Sequence, residues 1–357
     1  MKLYESKKII VALSGGVDSA VAAALLKKQG FDVFGVHFWL FGKTWKLSFQ
    51  VEKITKKLGI TLKVVDARKE FKKRIIGYFI EAYKKGLTPN PCVVCNKEIK
   101  FQLLFDLMKK LDADYVSTGH YALVKVRPFP SPTFCWGIPQ GRTLCEARDK
   151  IKDQSYFLYR LAQKDLAKII FPLGEYKKTE VKEIAKKMKI PVPEKEESQD
   201  ICFLQNKDIN SFLRKYIKPE PGNIVDETGK IFGKHEGLAA YTLGQRKGIK
   251  IGGTGPYFVV GKNKRKNKLI VTNDPKEFLA RKFLISKVSW ISPEIKFPLR
   301  AKVQIRYHAP KVSAIIKPQE KKTYLVELAK PLRAITPGQS AVFYKGDEVL
   351  GGGIISS

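Results

Sequence analysis

Acidic residues are scarce in this sequence. Its 357 residues include 34 Asp and Glu against 67 Lys and Arg, which gives a formal net charge of +33. Because each phosphate that a basic side chain neutralises releases a counterion, an excess of this size predicts a polyanionic partner. A lysine-rich thermophilic proteome is the alternative, but such enrichment raises Glu together with Lys. We therefore expect a nucleic acid as the partner.

Long apolar runs are also missing. We find no stretch of about 18 apolar residues, no signal peptide, no strongly amphipathic basic helix and no lipidation motif. The content of hydrophobic residues is nevertheless 44%, which excludes a disordered chain, and the length suffices for two or three domains. We expect a cytoplasmic protein with no membrane partner.

Cysteine is rare and its count is odd. The five cysteines are Cys92, Cys95, Cys135, Cys145 and Cys202. In an intracellular chain this argues against a framework of structural disulfides and leaves reactive, redox or metal-binding roles open. Residues 127–148 are rich in proline and glycine, which predicts an exposed insertion. We interpret its two cysteines, Cys135 and Cys145, as unconnected thiols rather than a disulfide or a metal pair.

The sequence Ser-Gly-Gly-Val-Asp-Ser at residues 14–19 has the composition of a phosphate-binding loop. It follows residues 8–13, a short apolar run that predicts a buried strand. The glycines allow a sharp turn, and we expect Asp18 and Ser19 to open a helix as capping residues and Gly30 to end it. Free N–H groups and the helix dipole then form an anion site. The Gly-Lys-Ser/Thr ending of a Walker loop is missing, which disfavours γ-phosphate transfer.

Strands alternate with helices along the first half of the chain. Residues 31–38, 60–66 and 114–117 are predicted strands separated by helical patterns, which predicts an α/β fold with a parallel sheet. Ligands of such sheets bind beyond the carboxyl ends of the strands. Near Lys218 the pattern changes to short strands with frequent glycines, starting with a hairpin at 222–231. Later strands are predicted at 269–272, 300–307, 323–328 and 339–344, which indicate a small β-barrel.

Further motifs follow the loop at 14–19. They are Asn-Pro-Cys-Val-Val-Cys-Asn-Lys at 90–97, Thr-Gly-His-Tyr at 118–121, Lys-Asp-Gln at 152–154, Ser-Gln-Asp-Ile-Cys-Phe at 198–203, Tyr-Thr-Leu-Gly-Gln-Arg-Lys-Gly at 241–248, Arg-Tyr at 306–307 and Pro-Gly-Gln at 337–339. Together they resemble the tRNA 2-thiouridylases of bacteria and organelles, which are PP-loop enzymes of the N-type ATP pyrophosphatase superfamily. The motifs follow the family's order over nearly the whole chain.

The resemblance implies a fold and an activity. The expected fold is a parallel-sheet, adenine nucleotide α-hydrolase-like (PP-loop) ATP-dependent catalytic domain at 1–208, a small mixed or β central tRNA-binding domain at 209–276 and a C-terminal β-barrel at 277–357. The expected reaction is 2-thiolation of the wobble uridine of tRNA, in which ATP and Mg²⁺ convert the C2 oxygen to an adenylate. The expected partners are tRNA and a sulfur donor such as a cysteine desulfurase or a sulfur-relay protein.

The resemblance also assigns the cysteines. Cys202 is expected to carry the sulfur as a persulfide, and Cys95 is expected to be its nucleophilic partner. The two end as a disulfide that must be reduced in each cycle, while AMP and pyrophosphate are released. Because a thiolate is the reactive form, we predict that the basic neighbours Lys97 and Lys100 lower the pKa of Cys95.

Three further sets of residues follow from the matched motifs. ATP binding is expected at Ala12, Leu13, Ser14, Gly15, Gly16, Val17, Asp18, Ser19, Phe38 and Gly119. Contact with the target base is expected at Asn90, Pro91 and Cys92. Contact with tRNA is expected at His120, Lys152, Asp153, Gln154, Arg306, Tyr307 and Gln339. The sequence departs from the pattern at Cys92, where some members carry an Asp that is a candidate acid or base.

Two alternative functions stay open at this point. In the first, Cys92, Cys95 and Cys202 bind three irons of a [4Fe–4S] cluster and leave the fourth iron open for a sulfide. In the second, the chain is a non-catalytic RNA-binding or redox-sensing protein on a PP-loop scaffold. The intact loop at 14–19 argues against the second alternative.

Overall fold

The computed structural model describes residues 7–42, 46–126, 141–192, 201–205, 207–249, 251–252, 256–274, 276–292 and 295–356. In these ranges the strands, in chain order, are β1 (Lys8–Ala12), β2 (Asp32–Trp39), β3 (Thr61–Asp66), β4 (Tyr115–Ser117), β5 (Leu123–Val126), β6 (Arg142–Cys145), β7 (Ile169–Ile170), β8 (Gly222–Val225), β9 (Ile231–His235), β10 (Phe258–Asn263), β11 (Lys268–Thr272), β12 (Leu279–Trp290), β13 (Leu299–Gln304), β14 (Val312–Pro318), β15 (Tyr324–Arg333), β16 (Ser340–Lys345) and β17 (Glu348–Ile355).

The α-helices of the described residues are α1 (Val17–Lys28), α2 (Lys46–Leu58), α3 (Arg68–Phe71), α4 (Gly77–Lys84), α5 (Pro91–Cys95), α6 (Gln102–Lys110), α7 (Gln163–Leu166), α8 (Lys178–Lys187) and α9 (Ile209–Leu213). A π-helical turn, Lys72–Ile76, joins α3 to α4, and a second one, Asn96–Phe101, joins α5 to α6. Short 3₁₀ turns lie at Ser155–Leu158, Cys202–Leu204, Leu238–Ala240 and Glu320–Lys322.

The first sheet is parallel and has the order β3-β2-β1-β4-β7. Its central strand β1 is covered on both faces, since Ile9, Ile10 and Val11 are 0% exposed. Helix α1 packs its alanines and leucines against one face and ends before Gly30, whose φ of +99° only glycine adopts readily. The predicted parallel sheet and helix end are therefore confirmed. The carboxyl ends of β1, β2 and β4 lie at one edge, as parallel pairing requires.

The second half of the chain forms two smaller β structures. Strands β10-β11-β8-β9 form a mixed sheet in which the pair β8 and β11 is parallel. Strands β12 to β17 form a six-stranded antiparallel barrel that closes through the pairing of β12 with β17. The barrel core includes Ile285, Val303, Val326 and Phe343, all 0% exposed. The predicted mixed sheet and terminal barrel are confirmed.

One prediction for residues 127–148 is wrong. Residues 141–148 are not part of an exposed insertion, because Arg142–Cys145 forms β6, which pairs with β5 and with Glu348 of β17. The Cys145 thiol is buried in this hairpin and is 3% exposed. Cys135 and the rest of the predicted insertion lie outside the described residues. The sequence pattern did not predict β6, because this strand follows a glycine- and proline-rich stretch and its barrel partner, Glu348, is distant in sequence.

Two smaller observations complete the fold. Arg306 and Tyr307 lie in a turn after β13 rather than on the strand predicted at 300–307.

Within the described ranges, no helix is both long enough and apolar enough to cross a lipid bilayer.

Candidate active site

The loop at 14–19 connects β1 to α1 at the carboxyl edge of the sheet. Gly15 has a φ of +85°, and the Ser19 hydroxyl accepts a hydrogen bond from the Ser14 N–H at 3.1 Å and donates one to the Gly16 carbonyl at 3.1 Å. The N-cap is Gly16, with no side-chain cap, so the prediction that Asp18 and Ser19 cap the helix is wrong. The first N–H groups of a helix lack intrahelical partners. This loop therefore presents the geometry of an anion site.

Asp18 points its carboxylate at two side chains from distant parts of the chain, Tyr121 and Lys178. Its Oδ1 accepts a hydrogen bond from the Tyr121 hydroxyl at 2.8 Å and lies 2.5 Å from Lys178 Nζ. The Lys178 side chain is only 8% exposed. Sequence reasoning missed Lys178, although it precedes the buried Val181 and Ala185 by three and seven residues. A lysine on the apolar stripe of a helix is a signal for a buried ionic partner.

Gly119 and Phe38 lie beside this loop. A Cβ on Gly119 would lie 2.6 Å from the Ser19 nitrogen and 2.9 Å from the Asp18 carbonyl carbon, so the backbones touch directly. Phe38 lies near the end of β2 and is packed against the sheet core. The buried His37 Nδ1 is 2.8 Å from the Leu13 carbonyl and fixes the end of β1. The residues predicted for ATP binding thus share one edge of the sheet.

The Gly119→Ala substitution tests the close approach of these backbones. We expect pyrophosphate release in the presence of tRNA to fall about 100-fold, because a shift of about 1 Å in a reacting group costs a factor of this size. The measurement is ATP-dependent pyrophosphate release. Gly252→Ala is the matched control, since a Cβ there meets nothing within 4 Å. Equal activity of the two variants would contradict the importance of this contact.

Helix α5 carries Cys92 and Cys95. Its first residue is Pro91, which needs no hydrogen-bond partner there, and the Asn90 side chain caps the helix by accepting from the Val93 N–H at 3.4 Å. Cys95 is buried and 6% exposed, whereas Cys92 is half-buried. The residues predicted to contact the target base therefore surround the start of the helix that holds Cys95.

Cys202 lies next to this helix. The aromatic ring of Phe203 packs against Phe71, Phe79 and Phe212 at centroid distances of 5.9, 5.2 and 5.3 Å, and Cys95 belongs to the same apolar cluster. Cys202 itself is exposed and acts electrostatically on both Cys92 and Cys95. The fold thus brings together the two cysteines that the motifs paired. The motif residues 198–200 lie outside the described residues.

The predicted lowering of the pKa of Cys95 is wrong in this conformation. Burial raises the pKa of Cys95 to about 12 and that of Cys92 to about 11. Cys202 is exposed, but desolvation by the surrounding protein still raises the pKa of its thiol. Lys100 opposes this shift at all three thiols, but burial outweighs it. The charge of Lys97 is directed away from Cys95, because the Lys97 Nζ forms an ion pair with Asp165 Oδ2 at 2.5 Å.

This burial predicts a pH dependence. We expect alkylation of Cys95 in the tRNA-free protein to rise about tenfold per pH unit between about pH 7 and pH 10, because the thiolate fraction grows throughout the range below a raised pKa. Iodoacetamide labelling followed by peptide mass spectrometry measures the rate, with glutathione as an ordinary thiol for comparison. A plateau near pH 8 would show an activated thiolate and contradict the assigned burial.

The residues predicted for tRNA contact in the first half of the chain have internal partners. Burial lowers the pKa of His120 to about 3, and its ring packs on Phe101. Asp153 is buried and accepts hydrogen bonds from the Ala147 N–H and the Ser155 hydroxyl. The Gln154 side chain accepts from the Tyr121 N–H at 3.1 Å. Lys152 is half-buried beside them. Their contact with tRNA stays a prediction.

His120 also links the loop at 14–19 to the cysteines. It follows Gly119, which touches the loop, and it lies close enough to Lys100 for an electrostatic effect on its pKa. Lys100 in turn acts on Cys92, Cys95 and Cys202. The His120 ring also packs on Phe101, in the helical turn that follows Cys95, so residues 119–120 contact both the loop at 14–19 and the helical segment that holds Cys95.

The barrel residues predicted for tRNA contact interact with residues of the first half of the chain. Tyr307 packs on Phe157 at a centroid distance of 4.4 Å. Arg306 is exposed and acts electrostatically on Tyr156, whose hydroxyl donates to the Ser340 carbonyl at 2.9 Å. The Gln339 amide donates to the Thr88 carbonyl at 3.0 Å.

The three thiols do not form a metal-binding group. Among the residues that the structure describes, no three His, Cys, Asp or Glu side chains converge as metal ligands. Cys92, Cys95 and Cys202 therefore do not fit the ligand set of an iron–sulfur cluster in this conformation, and we derive no step through such a cluster.

Family models match almost the whole chain. They are a tRNA methyl transferase HUP domain at residues 7–206, a tRNA methyl transferase PRC-barrel domain at 210–273 and an aminomethyltransferase beta-barrel domain at 280–355. Among solved structures, a 4-thiouridine synthetase–RNA complex with bound ATP is similar over 58% of this chain and 50% of that chain, with 18% identity and a TM-score of 0.39.

Curated relatives match at full length. The chain is 40% identical to tRNA-specific 2-thiouridylase MnmA 2 of Thermoanaerobacter sp. strain X514, covering 98% of each chain. It is 42% identical to tRNA-specific 2-thiouridylase MnmA of Trichormus variabilis, again covering 98% of each. It is 40% identical to the enzyme of the same name from Halalkalibacterium halodurans, covering 99% of this chain and 96% of that one. Identity at this level over the full length shows that the chain belongs to the tRNA-specific 2-thiouridylase family.

Proposed function

We propose that this enzyme transfers sulfur to C2 of the wobble uridine of tRNA, after ATP has activated the C2 oxygen as an adenylate. The observation that supports this best is the joining of two sites by one short segment. Gly119 touches the loop at 14–19, and the His120 ring packs on Phe101, which lies in the helical turn that follows Cys95. An activated base held between the two sites is within reach of both.

The loop at 14–19 fits the phosphates of a nucleoside triphosphate. The N-terminus of α1 offers free N–H groups and a positive dipole end, and the α-phosphate becomes the site of attack by the uridine oxygen. Lys178 supplies a buried positive charge beside Asp18, 2.5 Å from its carboxylate. Mg²⁺ is commonly held by one or two carboxylates together with substrate phosphates, and Asp18 is the carboxylate in place to share it. The bound ion supplies charge neutralisation of the phosphates.

The sulfur step uses the two cysteines. The terminal sulfur of a Cys202 persulfide attacks C2, and AMP leaves with the electrons of the C–O bond. The Cys95 thiolate then attacks Sγ of Cys202, which breaks the S–S bond to the transferred sulfur and leaves it on C2 as the thiocarbonyl. The product is a Cys95–Cys202 disulfide, which a thiol reductant reduces before the next cycle. Cys95 must lose its proton first, and in the described conformation burial holds its pKa at about 12.

The pKa of Cys95 implies that tRNA changes this site. Approach of the target base and the negative charge of the tRNA backbone alone would not create a thiolate. A rearrangement that brings the Lys100 side chain closer to Cys95 would, because a cation favours the charged form. We therefore propose that base binding at Asn90, Pro91 and Cys92 precedes deprotonation of Cys95. No carboxylate stands at the Cys92 position to accept the proton, so a water or a substrate group accepts it.

The partners and boundaries belong to the same proposal. tRNA binds the basic surface through Lys152 and Arg306 together with the neighbouring motif residues, and a cysteine desulfurase or sulfur-relay protein loads exposed Cys202. The catalytic, central and barrel parts are assigned to residues 1–208, 209–276 and 277–357. We place the reaction in the cytoplasm.

Nucleoside mass spectrometry tests the proposal. Unmodified tRNA is incubated with the protein, ATP, Mg²⁺ and a persulfide-generating desulfurase, and the nucleosides are then analysed for 2-thiouridine. We expect 2-thiouridine at the wobble position and equal amounts of AMP and pyrophosphate. AMP formation without 2-thiouridine, with fully loaded Cys202, would contradict the assigned sulfur chemistry.

A further inference from the structure

A short barrel segment, Pro337 to Ser340, reaches back to the loop before helix α5. The Thr88 N–H donates to the Pro337 carbonyl at 2.9 Å. The Gln339 side-chain amide donates to the Thr88 carbonyl at 3.0 Å and to the Pro89 carbonyl at 3.4 Å. Barrel and loop therefore exchange hydrogen bonds in both directions.

The contact is close enough to require a glycine. Gly338 has a φ of +95°, and a Cβ there would lie 2.9 Å from both the nitrogen and the oxygen of Thr88. Next along the chain, the Ser340 carbonyl accepts from the Tyr156 hydroxyl at 2.9 Å. Tyr156 also packs in the same apolar cluster as Val93 of α5. The segment thus approaches the start of α5 from two sides.

The barrel holds this segment firmly. The Gly338 N–H donates to the Ile355 carbonyl at 2.9 Å, and the Ile355 N–H donates to the Gln339 carbonyl at 2.8 Å. Both bonds tie the segment to the end of β17. In contrast, the loop that it contacts contains Pro89 and Pro91, which have no N–H groups to anchor it. The positions of Thr88 and Pro89 therefore depend on the barrel.

We propose that Gln339 is a positioning residue for helix α5, and hence for Cys95, in the protein without tRNA. Its amide fixes the two residues that precede the Asn90 cap, and the cap fixes the first turn that leads to Cys95. The barrel is then part of the catalytic unit as well as a surface for RNA. The positioning of α5 by Gln339 is independent of the proposed function. Only the expected effect of Gln339 variants on activity rests on the proposed catalytic role of Cys95.

Thiol labelling without tRNA tests the positioning role. Gln339→Ala removes the amide, and Gln339→Glu keeps the shape but replaces the donor with an acceptor. We expect iodoacetamide labelling of Cys95, read by peptide mass spectrometry, to become about fivefold faster in both variants, as one lost hydrogen bond allows. Labelling of buried Cys145 should stay unchanged. Gln319→Ala is the control, because Gln319 is an exposed glutamine of the same barrel.

The alternative role of Gln339 gives a different result. If Gln339 serves only as a tRNA contact, Cys95 labelling in both variants equals that of the wild type and only tRNA affinity falls, which overturns the inference. Parallel acceleration at Cys95 and Cys145 reports global opening and overturns it as well. The expected activity result is a lower kcat at saturating tRNA. Because labelling requires no catalysis, failure of the proposed thiolation chemistry leaves the labelling result intact.

Discussion

Asp18→Ala is expected to release no measurable pyrophosphate, a loss of at least about 1000-fold, while tRNA binding stays within about twofold of the wild type. The Asp18 carboxylate accepts from Tyr121 and pairs with Lys178. Without it, the buried Lys178 ammonium loses its carboxylate partner at the N-terminus of α1, and breaking such a pair is strongly destabilising locally. Loss of one preorganised electrostatic contact in an active site costs about 100- to 1000-fold, and here the oxygen proposed to share Mg²⁺ disappears too.

Two measurements and two further variants test this prediction. Pyrophosphate release reports adenylation, and filter binding reports tRNA affinity. Asp32→Ala is the matched control, because Asp32 is an exposed aspartate at the opposite, amino-terminal end of β2. Lys178→Met should follow Asp18→Ala in direction, since it removes the other half of the pair. Pyrophosphate release by Asp18→Ala at the wild-type rate would refute the assignment of this loop as the ATP site.

Local patterns predicted the sheet and its loop well. The apolar run in β1, the glycines at 15 and 16 and the stop at Gly30 are short-range features, and each depends on backbone geometry that neighbouring residues determine. The predicted barrel followed in the same way from short alternating strands. Fold features of this kind are readable because their causes lie within a few residues of their effects.

Features that depend on distant partners were missed or misjudged. Strand β6 was hidden because its partner Glu348 belongs to the last strand of the barrel. Lys97, a neighbour of Cys95 in sequence, pairs with Asp165 in space and leaves the thiol without its charge. Lys178 meets Asp18 only through the packing of α8 on α1. Electrostatics at this site is therefore a property of the fold rather than of the local sequence.

The cysteine variants are expected to separate the two chemical steps. Cys95→Ser and Cys202→Ser should each give no detectable 2-thiouridine, yet each should still form the adenylated tRNA and release pyrophosphate once per active site. In the proposed mechanism, activation uses the loop at 14–19 and the residues at 90–92, neither of which contains the Cys95 or Cys202 sulfur. Sulfur transfer needs a persulfide on one cysteine and a second thiol beside it, and a serine hydroxyl supplies neither.

The disulfide provides the decisive measurement. After one turnover without reductant, non-reducing peptide mapping of the wild type should show Cys95 joined to Cys202, since Cys95 and Phe203, the residue after Cys202, share one apolar cluster. Neither serine variant can form this bond. Cys145→Ser is the matched control, because Cys145 is buried like Cys95 but lies in the β5–β6 hairpin. The Cys145→Ser variant should keep full activity. Turnover that leaves both thiols free contradicts the persulfide scheme. So does a Cys92→Ser variant as inactive as the other two that also loses bound iron, which would favour a cluster instead.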